Sequence, residues 1–359
     1  MVLSVKSIHE HCLRMKSRTP SKLENDNTRY TRMGSRLGSG LILRSIVSGT
    51  LILVILLSID FETVGDLFGS LRVDYFGIAV LCAVLDRFLM AYKWRLLIYL
   101  KGINISVWQS FRIYLISNFV GFLLPTGVGA DLYRIYHTAR YHGHAEDVTA
   151  SVILERLVGV VASAMFAGMG LICMFVFYQQ RLFDTKTVII IIGLFGLSLL
   201  GFWISIQRTT LTFTERLLGR WRGNPFYKKL FQCYQAYLEY RQYKTILIVF
   251  FLLSILEQSF YAVINYWGSK SINLDIDFLY FVGVIPICHI LMRIPISINA
   301  IGVQEGLYFF FFSRLGLSVS EIFALVLLVR VTNWMPRLVG GLLYLIGEDK
   351  SQVVVQNPH

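Results

Sequence analysis

A proline–glycine break in an otherwise apolar part of the sequence constrains this chain more than any other feature. It lies within Asn118–Arg140 and contains Pro125, Gly127 and Gly129. Apolar segments of membrane-spanning length stand on both sides of it. Lipid tolerates an interrupted helix at membrane depth only where the backbone is buried in protein or lines a polar cavity. The sequence therefore predicts a broken helix of the kind that forms transporter binding sites.

The composition indicates an all-α polytopic integral membrane protein. Of the 359 residues, 55% are hydrophobic and only 16% are charged, whereas soluble domains contain about 25% charged residues. The net charge of +12 predicts basic cytoplasmic loops and contact with anionic lipid, and no nucleic-acid partner. The five cysteines show no CxxC spacing. We therefore expect free thiols, no metal site and no cofactor.

The distribution of arginine and lysine predicts the orientation of the chain. Residues 1–38 are polar and basic, which is typical of a disordered tail, and a transmembrane domain follows over residues 39–347. Residues 207–244 form a second strongly basic segment, and 348–359 a short tail. Because basic loops stay in the cytoplasm, we expect both termini and this loop on the cytoplasmic side of a bacterial inner membrane.

Hydropathy predicts about six full crossings. They fall at residues 41–59, 75–98, 150–178, 187–206, 245–267 and 319–347. Between them we expect an external loop after residue 59 and a cytoplasmic loop over residues 131–149. Lys93-Trp94-Arg95 is typical of a cytoplasmic membrane anchor. Asp86 and Arg87 could form a structural ion pair or belong to a functional site.

Two halves of the chain repeat one pattern. Residues 75–178 and 245–347 each contain a span, a broken hairpin with a carboxylate after the break, and a long final span. Charge counting makes residues 104–140 re-entrant from the cytoplasm and residues 277–315 re-entrant from outside. The halves would then run in opposite directions. Inverted repeats with paired broken helices place a binding site between the repeats.

The charged residues near the breaks are the candidate substrate site. Arginine suits phosphate because its planar fork binds two oxygens, and the carboxylates would hold the arginines or take up protons. Asp131 and Arg134 could instead simply brace the start of a helix. The predicted substrate-binding residues are Asp131, Arg134, Arg156, Arg293, Glu305 and Arg330. The predicted backbone breaks are Pro125, Gly127, Gly129, Pro295 and Gly302.

Four motifs resemble those of the lysylphosphatidylglycerol synthase transmembrane family, also called the flippase-like family. LLPTGVGADLYR is similar to its LPxxxGGDxxR signature, and RIPISINAIGVQEG to its PxSxGGxGxRE signature. YKWRLLI and LERLVGV are similar to two shorter stretches, and the match covers about residues 45–347. The chain departs from the signatures at Ala130, Asn299, Ala300 and Gln304. The soluble aminoacyl-transferase domain of the named synthases does not occur in these residues.

The resemblance implies a lipid flippase rather than an enzyme with catalytic residues. Its substrate would be an anionic phospholipid or a polyprenyl-linked or other glycolipid, because relatives act in such pathways. Two alternatives stay open. One is an integral membrane transferase acting on lipid-linked substrates. The other is a membrane partner that docks a separate lipid-modifying enzyme through residues 207–244. Small residues at Gly193, Gly196 and Gly201 would allow a homodimer.

Overall fold

The computed structural model describes residues 59–124, 128–178, 225–293 and 297–347, with Leu57 and four isolated positions between 193 and 204. All regular structure within these ranges is helical. Short 3-10 turns lie at Tyr240–Gln242, Ile298–Ala300 and Ser313–Leu315. The α-helices are α1 (Phe61–Gly69), α2 (Val73–Tyr99), α3 (Val107–Leu123), α4 (Gly129–His142), α5 (Ala145–Tyr178), α6 (Pro225–Glu239), α7 (Lys244–Ser271), α8 (Phe278–Met292), α9 (Val303–Phe312) and α10 (Val319–Leu345).

Three helices are long and apolar enough to cross a membrane. They are α5 over Ala145–Cys173, α7 over its whole length, and α10 over its whole length. The pair α1–α2, bent by 90°, makes a fourth candidate. The predicted spans at residues 41–59 and 187–206 lie essentially outside the described residues, so the total of six crossings stays a prediction. The all-α membrane class is confirmed.

The long helices expose apolar side chains and bury polar ones among apolar neighbours, unlike the helices of a soluble protein. On α7, Leu252 and Leu256 are exposed while Glu257 and Gln258 are buried. Exposed leucine is stable where the surroundings are hydrocarbon, whereas buried polar groups need partners in the protein interior. The buried polar groups of the helix bundle are accordingly found in ion pairs and hydrogen bonds with one another, as Glu257 is with Lys93 and Gln258 with Ser163.

The first broken segment is a tight helical hairpin. A Cβ at Gly121 on α3 would lie 2.6 Å from the Ala130 nitrogen on α4, so only glycine lets the two limbs approach this closely. Farther from the break, Arg134 on α4 lies over the Tyr114 ring on α3. The two limbs of the hairpin are therefore antiparallel. The prediction of a loop over residues 131–149 is therefore wrong. Those residues form most of α4 and the start of α5. The charged side chains of Asp131 and Arg134 are accommodated in this helix because they form ion pairs inside the bundle.

The second broken segment also folds back on itself. The Tyr280 hydroxyl on α8 donates to the Phe311 carbonyl on α9. Between these helices the backbone turns through left-handed conformations, with φ of +50° at Asn299, +56° at Ala300 and +84° at Gly302. These angles suit glycine and are strained for alanine. The break predicted from Pro295 and Gly302 is thus present in the part that the structure describes.

The two halves exchange their packing partners. Helix α5 of the first half packs against α8 of the second, α10 of the second packs against α3 of the first, and α2 packs against α7. Glycines allow the first two contacts. Gly170 on α5 faces the Val282 carbonyl and Gly340 on α10 faces the Leu115 carbonyl. Such reciprocal packing is what an inverted repeat requires, and the repeat itself stays a prediction.

Two smaller expectations are corrected. The segment after residue 59 is not simply a loop, because α1 forms there behind an Asp60 cap that accepts from the Glu62 N–H. Lys93-Trp94-Arg95 is not a surface anchor. Lys93 and Trp94 are 1% and 0% exposed, because the Lys93 ammonium pairs with Glu257 and the Trp94 indole donates to Ser151.

Replacing Gly170 with alanine is expected to destabilise the fold, whereas Gly168→Ala is not. The added Cβ at Gly170 would lie 2.5 Å from the Val282 carbonyl oxygen, and at Gly168 it would meet nothing within 4 Å. Overpacking of this kind costs about 1–3 kcal/mol. Thermal unfolding in detergent measures the difference. Equal melting temperatures for the two variants would show that α5 and α8 do not pack this closely.

Candidate functional site

A polar cavity of about 240 Å³ lies where the two halves meet. It is built from α2, α3, α4, α5, α7 and α8, so each half contributes to its wall. The residues that line it include the charged side chains of Arg87, Asp131, Arg134, Glu155, Arg156, Glu257 and Arg293. Four of the six predicted substrate-binding residues are therefore gathered here. The other two, Glu305 and Arg330, do not line it.

Arg134 is held on all sides by the protein. Its guanidinium contacts Asp131 at 2.8 Å and Glu155 at 2.9 Å. It also lies over the rings of Trp94 and Tyr114, at 5.1 and 4.7 Å from their centroids. The side chain is only 3% exposed. A guanidinium engaged in this way orients its neighbours rather than offering hydrogen bonds to a ligand.

Arg156 and Arg293 are the arginines that remain open to the cavity. The Arg156 side chain is 50% exposed although one edge contacts Asp131 at 2.6 Å. Arg293, at the end of α8, is exposed, and its Nη2 lies 3.4 Å from the Ser163 hydroxyl. Gly159, one turn beyond Arg156 on α5, faces the Arg293 guanidinium. Both arginines can thus reach one ligand, and paired guanidinium groups suit a phosphate.

The wall formed by α2 and α7 carries two more ion pairs. Asp86 contacts Arg87 at 2.9 Å, with the Asp86 side chain fully buried. Lys93 pairs with Glu257, which lines the cavity. Burial without a partner would be costly for each of these groups. These pairs were outside the predicted substrate set. They add two cations and two carboxylates to the charged groups around the cavity.

Glu305 and Arg330 form a separate clasp around the second break. The Glu305 carboxylate contacts Arg330 at 2.7 Å and accepts the Gly302 N–H at 2.7 Å. Arg330 also donates to the Ala300 carbonyl at 3.3 Å. The clasp therefore fixes the left-handed backbone between α8 and α9. Its geometry fits positioning of the break rather than contact with a ligand in the cavity.

The tips of the two hairpins touch each other. The Asn299 amide nitrogen donates to the Phe122 carbonyl, near the end of α3, at 3.3 Å. Gly129 is buried at the start of α4, where a Cβ would lie 2.9 Å from Leu124. The predicted break residues Pro125, Gly127 and Pro295 lie outside the described residues. Described residues that flank the two breaks, among them Ala130 and Met292, line the cavity.

A repeated tetrapeptide was a signal that the sequence reasoning missed. Arg-Leu-Val-Gly occurs at residues 156–159 and again at 337–340, once in each final span. In the fold, Gly159 faces the Arg293 guanidinium just after α8, whereas Gly340 lies directly against the Leu115 carbonyl on α3. Arg337, the counterpart of Arg156, lies 5.5 Å from the Phe122 ring centroid. Both copies of the tetrapeptide thus face a hairpin of the opposite half, but they pack at different distances from it.

Comparison with known families agrees with this arrangement. The family model described as the lysylphosphatidylglycerol synthase TM region matches residues 41–341, which is most of the chain. This chain belongs to that family. No curated protein and no solved structure matches it. Family membership supports an integral membrane protein with a lipid-related role, and the matched region includes both broken hairpins and the whole wall of the cavity.

Proposed function

We propose that this member of the lysylphosphatidylglycerol synthase transmembrane family is a flippase. It would carry the headgroup of an anionic lipid across the bilayer through the cavity. The observation that carries the proposal is the presence of two open arginines, Arg156 and Arg293, in a polar cavity among membrane-length helices. A lipid phosphate supplies the negative charge that such a site needs, while the acyl chains remain in the hydrocarbon.

The arrangement of the hairpins supports movement of a headgroup rather than simple binding. Under this proposal, the α3–α4 hairpin enters from the cytoplasm and the α8–α9 hairpin from outside. Their tips meet at the contact between Asn299 and Phe122. Paired broken helices that meet near the midplane are how many transporters build an alternately accessible site. Both termini would then lie in the cytoplasm of a bacterial cell.

Arg156→Gln is expected to slow lipid translocation at least tenfold without unfolding the protein. Loss of a charge-assisted hydrogen bond to phosphate costs about 1.5–3 kcal/mol, and Asp131 keeps its contact with Arg134 at 2.8 Å. The measurement is dithionite quenching of fluorescent phosphatidylglycerol in reconstituted vesicles. Arg140→Gln, on the exposed end of α4, is the control and should move lipid at the wild-type rate.

The same assay separates the flippase from its alternatives. If the wild type moves no lipid in any direction, the flippase proposal fails. Incubation of the purified protein with lipid-linked substrates, followed by mass spectrometry of the lipids, then tests for transferase activity. A protein that neither moves nor modifies lipid but retains a lipid-modifying enzyme on its basic 207–244 segment would fit the docking role instead.

A further inference from the structure

The charges around the cavity do not balance within the protein. The charged residues that line the cavity, together with their ion-pair partners, comprise five cations and four carboxylates. A lone charge at membrane depth is costly, so a balanced set would be expected if the site were purely structural. The cations are Arg87, Lys93, Arg134, Arg156 and Arg293, and the carboxylates are Asp86, Asp131, Glu155 and Glu257.

Of the arginines that line the cavity, Arg293 is the one without a carboxylate partner in the described part of the chain. Each of the other four cations contacts at least one of the four carboxylates. Arg293 has the Ser163 hydroxyl at 3.4 Å, and no carboxylate in the described part of the chain comes within ion-pair distance of it. Its guanidinium faces the cavity. One negative charge from a ligand would complete the site.

The lining carboxylates, by contrast, are each already neutralised by a cation of the protein. Asp131 contacts two arginines, at 2.8 and 2.6 Å. Glu155 contacts Arg134 and accepts from the Tyr114 hydroxyl. Glu257 is taken by Lys93. An ammonium group on a headgroup would therefore add a positive charge to a site whose carboxylates are already paired, or would displace an arginine or lysine and leave that cation uncompensated.

The rest of the lining suits uncharged hydroxyl groups. Tyr261, His289 and Asn118 line the cavity, and each can exchange hydrogen bonds with a hydroxyl. The Asn118 amide nitrogen already donates to the Tyr114 carbonyl at 2.8 Å, which leaves its amide oxygen as an acceptor. The cavity volume of about 240 Å³ leaves room for a phosphate with a small substituent.

We infer that the cavity selects a phosphodiester lipid with one negative charge and a small, uncharged, hydroxyl-bearing headgroup, and that Arg293 determines this choice. Headgroups that carry an ammonium are disfavoured because every carboxylate is engaged. Large oligosaccharides are disfavoured because the cavity is too small. The inference rests on the proposed function, since it names the lipid class that the same cavity would take.

Headgroup competition on the full-length protein tests this inference. The protein in nanodiscs of phosphatidylcholine is offered phosphatidylglycerol, phosphatidylethanolamine or lysyl-phosphatidylglycerol, and bound lipid is counted by native mass spectrometry. We expect phosphatidylglycerol to be retained at least tenfold over both amine-bearing lipids. Arg293→Gln should remove that preference. Arg140→Gln, which removes an exposed arginine at the end of α4, should keep it.

A charge inserted at Gly159 provides an independent variant. A Cβ there would lie 3.6 Å from both terminal nitrogens of Arg293, which is ordinary contact. Gly159→Asp would therefore supply the missing carboxylate within the chain and should abolish the preference for phosphatidylglycerol while Arg293 remains. Gly159→Ala adds the same carbon without the charge and should retain the preference.

The outcomes distinguish this inference from the flippase proposal. Equal retention of the three lipids by the wild type, a preference for lysyl-phosphatidylglycerol, or an unchanged preference in Arg293→Gln would each overturn the inference. Selective binding without translocation in vesicles would support the inference and contradict the flippase proposal. Translocation at equal rates for all three headgroups would support the flippase proposal and contradict the inference.

Discussion

Replacing Lys93 with methionine is expected to destabilise the protein by about 3–5 kcal/mol, because it leaves Glu257 buried without its cation. Lys93 is 1% exposed and Glu257 is 4% exposed, so water replaces the lost partner only poorly. The contact joins α2 to α7, the first span of each half. Steric trapping in bicelles, or the melting temperature in detergent, measures the loss.

The double variant Lys93→Met/Glu257→Leu is the matched control for this prediction. Replacing both members of a buried ion pair with apolar groups of similar size often leaves the stability nearly unchanged. The double variant should therefore be markedly more stable than Lys93→Met alone. A single variant as stable as the wild type would mean that the two side chains do not form this pair in the membrane.

Arg134→Met should also destabilise the fold by about 3–5 kcal/mol. This loss of stability should be present even when no lipid is added. The change leaves Glu155 with only the Tyr114 hydroxyl, at 3.3 Å, and removes a cation from between two aromatic rings. Asp131 would still contact Arg156 at 2.6 Å. The melting temperature in detergent, without added lipid, measures the effect.

Arg140→Met, on the same helix, is the control for Arg134→Met. Its side chain is exposed and donates to the Tyr136 hydroxyl at 3.2 Å, so its loss should change the melting temperature little. If Arg134→Met melted like the wild type but no longer moved lipid, Arg134 would be a ligand of the headgroup. The assignment of Arg134 to a bracing role would then be wrong.

Hydropathy predicted the long helices because lipid imposes length and composition on any span. The predictions at residues 75–98 and 245–267 each fall within one helix of the fold, and the prediction at 319–347 begins with α10 and ends two residues beyond it. The wrong prediction of a loop at residues 131–149 also follows from relying on hydropathy. A helix whose polar face lines a cavity loses the apolar signal, so α4 looks like a loop when only hydropathy is considered.

Long-range pairing was beyond the reach of the sequence. Lys93 and Glu257 are 164 residues apart, and nothing in the local pattern around Lys93 distinguishes a buried partner from a membrane anchor. The same limit applies to the six predicted substrate-binding residues. Spacing from the two breaks selected them, but only the fold divides them into the cavity group and the Glu305–Arg330 clasp.

The most direct test of the central claim is a cryo-electron microscopy structure of the protein in phosphatidylglycerol nanodiscs, with a bound antibody fragment to add mass. The account predicts phosphate density within hydrogen-bond distance of both Arg156 and Arg293, with the acyl chains leaving the cavity toward the lipid. A cavity that holds no headgroup, with ordered lipid only on the outer surface of the helices or at the Glu305–Arg330 clasp, would contradict it.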